Sequence, residues 1–254
     1  MYKSDAGRTQ LGETLDVFLQ GRLTIIQPAR GYRFSIDAFL LAGLTRVRPQ
    51  DRIVDLGTGC GIIPLLLALR QPVANITGIE VQESLVAMAK RNVSDNGFAH
   101  LIEIVQADLT RLQSNAVARP VNLVLSNPPY RKLRSGRLSP NSGRAVARHE
   151  LLASLREVVS AAARLLSKKG RLAIIYPARR LAALLGELTT GGFAPKHLTL
   201  IHTTLDSEAK LVHVESIKGG GEEMRVNKPF AIYESQGNYS AEMKAIYGHE
   251  PTAF

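Results

Sequence analysis

Residues 52 to 61, Arg52-Ile53-Val54-Asp55-Leu56-Gly57-Thr58-Gly59-Cys60-Gly61, constrain the fold of this 254-residue chain more than any other stretch. A short strand, apolar enough to be buried on both faces, runs into three alternate glycines, and an apolar helical run follows from 62 to about 70. Glycines at 57, 59 and 61 let the backbone turn tightly and let a ligand lie against it with no Cβ in the way. The N-terminus of the following helix adds partial positive charge there. The dinucleotide-binding pattern G-x-G-x-x-G competes for this reading, but it needs glycine at 62, where this chain has Ile62. Cys60, inside the turn, reads as a small packed residue without chemistry.

The strand and helix signals continue to alternate. Residues 75–80 read as a strand that ends on Glu80, 82–96 as a helix closed by Asn96-Gly97, and 101–106 as a third strand followed by Ala107-Asp108-Leu109. Glu80, with Val81 after it, stands 23 residues beyond Gly57, where a carboxylate has both oxygens free for the two hydroxyls of a ribose. Each acid taken singly is an exposed strand-end carboxylate; two in register with a glycine turn are a site. Upstream, 21–34 reads as a hairpin turning around 27–31, and Ser35 as the N-cap of a helix over 36–44. Downstream, a helix over 150–167 should stop at Lys168-Lys169-Gly170, with a strand at 171–176 and a helix over 178–188. Strands at 196–204 and 211–217 should form an antiparallel closing pair, with a final strand at 227–234 and a terminal helix at 239–247. His197, His202 and His213 fall on strand patterns without metal-ligand spacing and read as structural.

A fourth strand opens the stretch Val121-Asn122-Leu123-Val124-Leu125-Ser126-Asn127-Pro128-Pro129-Tyr130 and ends abruptly. Two prolines donate no backbone hydrogen bonds and hold the residue before them extended, so Asn127 sits at a rigid corner. Such a corner aims an amide and an aromatic ring beyond the strand's carboxyl end, where open α/β sheets bind ligands.

Charge singles out a partner class. The chain carries a net charge of +10. From 109 to 149 there is no acid, while Arg111, Arg119, Arg131, Lys132, Arg134, Arg137, Arg144 and Arg148 all fall there, six of them after Tyr130. That cationic loop at the asparagine corner points to a polyanion such as RNA. One cysteine allows no internal disulfide, and no run approaches the roughly 18 apolar residues of a membrane span. With no signal-peptide pattern over residues 1–20, the expected location is cytoplasmic, without a membrane partner.

The D-x-G-x-G-x-G turn resembles motif I of class I S-adenosylmethionine-dependent methyltransferases, and Asn-Pro-Pro-Tyr resembles the signature of those that methylate a nitrogen in a planar π system. Together with Arg33-Phe34-Ser35-Ile36-Asp37-Ala38, Ala147-Arg148-His149-Glu150, Val212-His213-Val214-Glu215 and Lys218-Gly219-Gly220, they are similar to the bacterial family that methylates the exocyclic amine of the adenine 3′ of the anticodon in valine tRNA. The resemblance implies a Rossmann-like α/β fold: a seven-stranded, mostly parallel sheet with an antiparallel last strand in residues 49–254, and a hairpin-and-helix extension, 1–48, covering the cofactor. It implies S-adenosylmethionine held by Phe34, Ser35, Asp37, Asp55, Leu56, Gly57, Thr58, Gly59, Gly61, Glu80, Val81, Asp108, Leu109 and Asn127. Asn127, Pro128, Pro129 and Tyr130 would hold the target amine, with Arg131, Lys132, Arg134, Arg137, Arg144 and Arg148 on tRNA phosphates and no metal. The alternatives are ribosomal RNA base methylation, protein glutamine methylation, or a non-catalytic RNA-binding module.

Overall fold

A computed structural model describes residues 9–30, 33–71, 75–113, 115–118, 120–128, 155–235 and 237–247. Pro129, Tyr130 and the basic loop over 131–148 lie outside these residues, as does Arg119.

The chain begins with a hairpin, β1 (Glu13–Phe18) against β2 (Leu23–Pro28), antiparallel from Glu13 opposite Pro28 to Phe18 opposite Leu23. Its turn is not at 27–31 as the proline and glycine signals suggest. The chain reverses at Leu19-Gln20-Gly21, all with positive φ (53°, 57° and 87°), and Pro28 instead ends the strand. Leu19 and Gln20 carry no turn signal, so only docking of the hairpin holds them there, each at a cost of about 1–2 kcal/mol. Helix α1 (Ile36–Leu44) starts at the expected cap, the Ser35 hydroxyl accepting from the Asp37 amide at 3.4 Å.

From there strands and helices alternate: β3 (Ile53–Leu56), α2 (Ile62–Arg70), β4 (Ile76–Glu80), α3 (Glu83–Asp95), β5 (Ile102–Gln106), β6 (Val121–Ser126), α4 (Leu155–Leu165), β7 (Leu166–Pro177), α5 (Leu181–Thr190). The two long strands β8 (Phe193–His202) and β9 (Ala209–Lys218) follow, then two short ones, β10 (Arg225–Val226) and β11 (Phe230–Ala231). A small hairpin, β12 (Tyr233–Ser235) with β13 (Asn238–Tyr239), and helix α6 (Ala241–Ile246) complete the described chain. The main sheet runs β5-β4-β3-β6-β7-β9-β8-β10, with β11 also on the outer edge of β8. Among the described strands of this sheet, only β9 is antiparallel to its neighbours. This is the expected mostly parallel sheet, extended from seven strands to nine by two-residue strands where a single strand at 227–234 was expected.

The helix expected to reach Ser167 stops at Leu165, and β7 begins at once. Leu166 pairs with Val121 before an irregularity brings Arg171 opposite Leu123. Within it the chain folds back on itself: a Cβ on Gly170 would stand 2.8 Å from Leu166 Cδ2.

Apolar residues cover both faces of the sheet, as a parallel sheet requires. One face packs Leu165, Val158 and Leu184 from α4 and α5 on Val54, Val124 and Leu172. The other packs Leu40, Leu65, Val86 and their neighbours from α1, α2 and α3 on Ile53, Ile76 and Leu123. Leu23 and Ile25 of β2 join this second core. The hairpin lies along α3, where Ile26 meets Leu85 and Met88 and Arg91 pairs with Glu13. No helix among the described residues is long and apolar enough to cross a membrane.

Candidate active site

Parallel strands that end at one level make a row of loop origins, and the site is built on that row. Leu56 pairs with Ser126 on one side and Ile79 on the other, and Glu80 pairs with Gln106. Asn127, Gly57, Glu80 and the Ala107-Asp108 segment therefore leave four adjacent strand tips side by side, in the order β6, β3, β4, β5. The Ser126 hydroxyl donates to the Leu56 carbonyl at 2.9 Å, locking the asparagine corner to the start of the glycine turn. Asn127 is half-buried and Pro128 buried.

The turn itself is rigidly held. Gly57, Gly59 and Gly61 have φ of 77°, 58° and 85°, which answers why glycine stands at each. Gly57 and Thr58 both donate to the Ile79 carbonyl at 2.9 Å, Gly61 donates to the Thr58 carbonyl at 2.9 Å, and Gly59 donates to Glu80 Oε2 at 3.0 Å. A phosphate-binding turn keeps such amides for its ligand. Here four are spent within the protein, with two carboxylates behind them, so the geometry disfavours a dinucleotide and suits a ligand without phosphate. Among the described residues a Cβ on Gly57 would meet nothing within 4 Å, so there is open space at that point of the turn.

Glu80, buried, differs from its expected state. Both oxygens were expected to be free, but Oε1 accepts from the amides of Val81 (2.9 Å) and Gln82 (3.0 Å), and Oε2 accepts from Gly59. A carboxylate oxygen accepts about two bonds, so Oε2 alone keeps capacity for a ribose hydroxyl. Asp108 is exposed, and its Oδ1 accepts from the amide and hydroxyl of Thr110, both at 2.8 Å. Those two bonds, with the nearby Arg111 charge, hold its carboxyl below the usual range, which leaves an ionised Oδ2 as an acceptor. Leu109 is buried in the α4-α5 core, and its carbonyl accepts from Arg164 at 2.7 Å.

Asp55 lies in the interior of β3, fully buried. Among the described residues neither of its oxygens meets a donor in full hydrogen-bonding geometry, and Thr58 Oγ1 beside it is likewise unpaired. Burial pushes the Asp55 carboxyl up to about 7; the Thr58 hydroxyl is near enough to ease this in part, and the Glu80 charge adds to it. Such a pair of unsatisfied groups under an open turn fits a cationic or hydroxyl-bearing ligand. Burial also pushes the Cys60 thiol up to about 12. Val81 is half-buried beside Glu80.

Phe34 packs against Phe18 and Phe39, with ring centres 5.2 and 6.1 Å apart, so its ring supports the N-terminus of α1. Next to it, the Arg33 charge reaches Cys60. Ser35 acts as the helix cap, and Asp37 lies in the first turn.

Two residues of the site escape sequence reasoning. A Cβ on Gly78, in the middle of β4, would stand 2.8 Å from Thr58 Oγ1, so glycine there makes room for Thr58; glycine inside a strand is the signal. Asn92 of α3 is wholly buried and donates to the Cys60 carbonyl at 2.9 Å; its signal is an amide on the apolar face of a helix. Among the described residues no group of three or more His, Cys, Asp or Glu is placed to hold a metal.

The profile of the methyltransferase small domain family matches residues 36–183, more than half of the chain. The tRNA1(Val) (adenine(37)-N6)-methyltransferase of Porphyromonas gingivalis is 33% identical over 203 residues, 78% of this chain and 79% of that protein. The protein of the same name from Tolumonas auensis is 28% identical over 211 residues, 83% and 86% of the two chains. Among solved structures, a predicted O-methyltransferase from Agrobacterium tumefaciens superposes with a TM-score of 0.68 at 23% identity, over 83% of this chain and 95% of that one, which establishes the fold alone. With the strand-tip row and the glycine turn in place and Asn127 and Pro128 at the end of β6, the chain belongs to the methyltransferase small domain family, among the relatives of the tRNA1(Val) (adenine(37)-N6)-methyltransferases.

Proposed function

We propose that the chain transfers a methyl group from S-adenosylmethionine to the exocyclic amine of an adenine in RNA, the base immediately 3′ of the anticodon in valine tRNA. The observation that carries this reading is the register that pairs Ser126 with Leu56, so that Asn127 and Gly57 leave adjacent strand tips, with Glu80 and Asp108 on the next two. Bound above the turn, S-adenosylmethionine would supply an electrophilic methyl on a sulfonium. Glu80 Oε2 would accept from its ribose and Asp108 Oδ2 from its adenine amine. Glu80 places negative charge beneath a ligand that is positive, and a bound cation would favour the ionised form of Asp55 beside it, the reverse of what a pyrophosphate needs.

On the other side, the side-chain carbonyl of Asn127 and the backbone carbonyl of Pro128 would accept the two N–H bonds of the target amine. Two acceptors at that corner favour a pyramidal nitrogen over the flat, conjugated one, so they act more strongly in the transition state than in the ground state. Tyr130 would stack on the base, worth roughly 1–3 kcal/mol. An anticodon-loop base is already unpaired, which lowers the cost of swinging it into the site. Arg131, Lys132, Arg134, Arg137, Arg144 and Arg148 would grip the flanking phosphates.

The test is Asn127→Ala, assayed with labelled S-adenosylmethionine and total bacterial RNA, with nucleoside mass spectrometry of the labelled fraction. The expected outcome is S-adenosylhomocysteine affinity within about threefold of wild type and methyl transfer reduced by at least about a hundredfold, the scale of losing a transition-state hydrogen-bonding group. Undiminished transfer would remove Asn127 from the reaction, and a methylated nucleoside other than N6-methyladenosine would change the substrate.

A further inference from the structure

We propose that Asn92 is a positioning residue that couples docking of the N-terminal hairpin to the shape of the glycine turn, and through it to cofactor affinity; this rests on the methyltransferase reading above. The side chain is wholly buried on α3 and makes three hydrogen bonds. Oδ1 accepts from the Ile26 amide at 2.7 Å, and Nδ2 donates to the Ile26 carbonyl at 2.8 Å and to the Cys60 carbonyl at 2.9 Å. One amide thus joins the outer edge of β2 to the middle of the turn.

The neighbouring turn of the helix repeats half of this. Asn96 Oδ1 accepts from the Thr24 amide at 3.0 Å and its Nδ2 donates to the Thr24 carbonyl at 2.7 Å, but its second N–H goes to the Asn92 carbonyl at 2.8 Å. The match is geometric: residues two apart on a strand advance roughly 6.7 Å, and residues four apart on a helix rise about 6 Å. Two asparagines on one helix face therefore stand in for the missing neighbour strand of β2. Only Asn92 continues inward to the turn.

At that end the turn is gripped from both sides. Glu80 takes the Gly59 amide while Asn92 takes the Cys60 carbonyl, on consecutive residues. Three residues before Asn92, Ala89 lies against Gly61, where a Cβ would come within 3.3 Å of its own. A hairpin that lifts from α3 strips Asn92 of two of its three partners and leaves the Cys60 carbonyl with an unrestrained donor. Any ligand that prefers the held turn then also favours the docked hairpin, by the reciprocity of linked equilibria.

Two measurements test this. Amide hydrogen exchange of the wild-type protein, with and without S-adenosylhomocysteine, should show the Thr24 and Ile26 amides slowed by about fivefold or more on binding, beyond any slowing of β8 amides such as Leu198 and Ile201. Hairpin amides that do not change, or that slow only in step with β8, overturn the proposal. Calorimetric titration with the same ligand should show Asn92→Ala weakened about tenfold and Asn96→Ala by less than about twofold, although both loosen the hairpin. Equal effects of the two substitutions would make both plain fasteners of the hairpin. If Asn92→Ala does not fold, the wild-type exchange result decides. Wild-type protein that fails to bind the ligand brings down the methyltransferase reading and this coupling with it; binding without the hairpin response overturns the coupling alone.

Discussion

Asp55 shows how far a single residue's environment departs from what its type suggests. A strand-interior aspartate with no partner is costly in its charged form, and burial raises its carboxyl to about 7. The sign follows from linkage: the folded state holds this proton up to about pH 7 while the unfolded chain loses it near pH 3.9, so the contribution to stability is complete below about pH 4 and is lost as pH rises toward 7. Asp55→Asn removes that loss. Thermal melts of the ligand-free protein should therefore show the variant gaining on wild type between pH 5 and pH 8; a constant difference in Tm across that range would mean that Asp55 is already ionised in the fold. Gly78 belongs to the same local arrangement, since its missing side chain is what lets Thr58 lie beside Asp55.

At the scale of elements, the packing of α1 on the sheet depends on a buried polar contact. Thr45, the C-cap of α1, donates its only hydroxyl proton to the Leu41 carbonyl at 2.7 Å, so His213 Nε2 of β9, 3.0 Å from Thr45 Oγ1, must be the donor between them. Burial, with the nearby His197, pulls the His213 imidazole down to about 4, so it is neutral in the fold. Here the sign is opposite to that of Asp55: the contribution is complete above the unfolded value near 6.5 and is lost as pH falls from there toward 4. His213→Gln, which keeps an N–H donor, should lose less Tm than wild type between pH 7 and pH 5, at the cost of a lower Tm at pH 7. Parallel melting curves for the two proteins over that interval would refute it. Close by, Arg171 pairs with the buried Asp51, and Glu215 accepts from the Arg46 amide, so the connection from α1 to β3 is joined to β7 and β9 by polar contacts.

For the whole molecule the decisive property is how charge and open space are distributed. The net charge of +10 is concentrated beside the asparagine corner in the sequence, while the neighbouring strand tips carry Glu80 and Asp108. Such a division suits a cationic donor on one side and a polyanionic acceptor on the other. Replacing Arg131, Lys132 and Arg134 together by Gln should raise KM for tRNA and reduce the log–log salt slope of binding by about 2, at about 0.7 per lost single-strand phosphate contact. S-adenosylhomocysteine binding should be unchanged. An unaltered salt slope would mean these three side chains do not meet the RNA.

Local chemistry made much of this protein legible before any coordinates. The glycines at 57, 59 and 61, the run of buried strands, the Ser35 cap and the Asn-Pro-Pro corner all report themselves because backbone sterics and side-chain periodicity act over a few residues. They identify the α/β class and the residues of the strand-tip row. What they leave open is set by contacts between segments far apart in the chain. The hairpin reverses at Leu19 and Gln20, residues with no turn preference, because β2 is held against α3 by Asn92 and Asn96, 66 and 72 residues away. Glu80 spends most of its capacity on neighbouring amides, and the turn's own amides are spent within the protein, which only the folded path of the chain can show. Sequence decides which groups are available; the tertiary structure decides which of them are already satisfied, because hydrogen bonds and burial depend on distances that the order of residues does not encode.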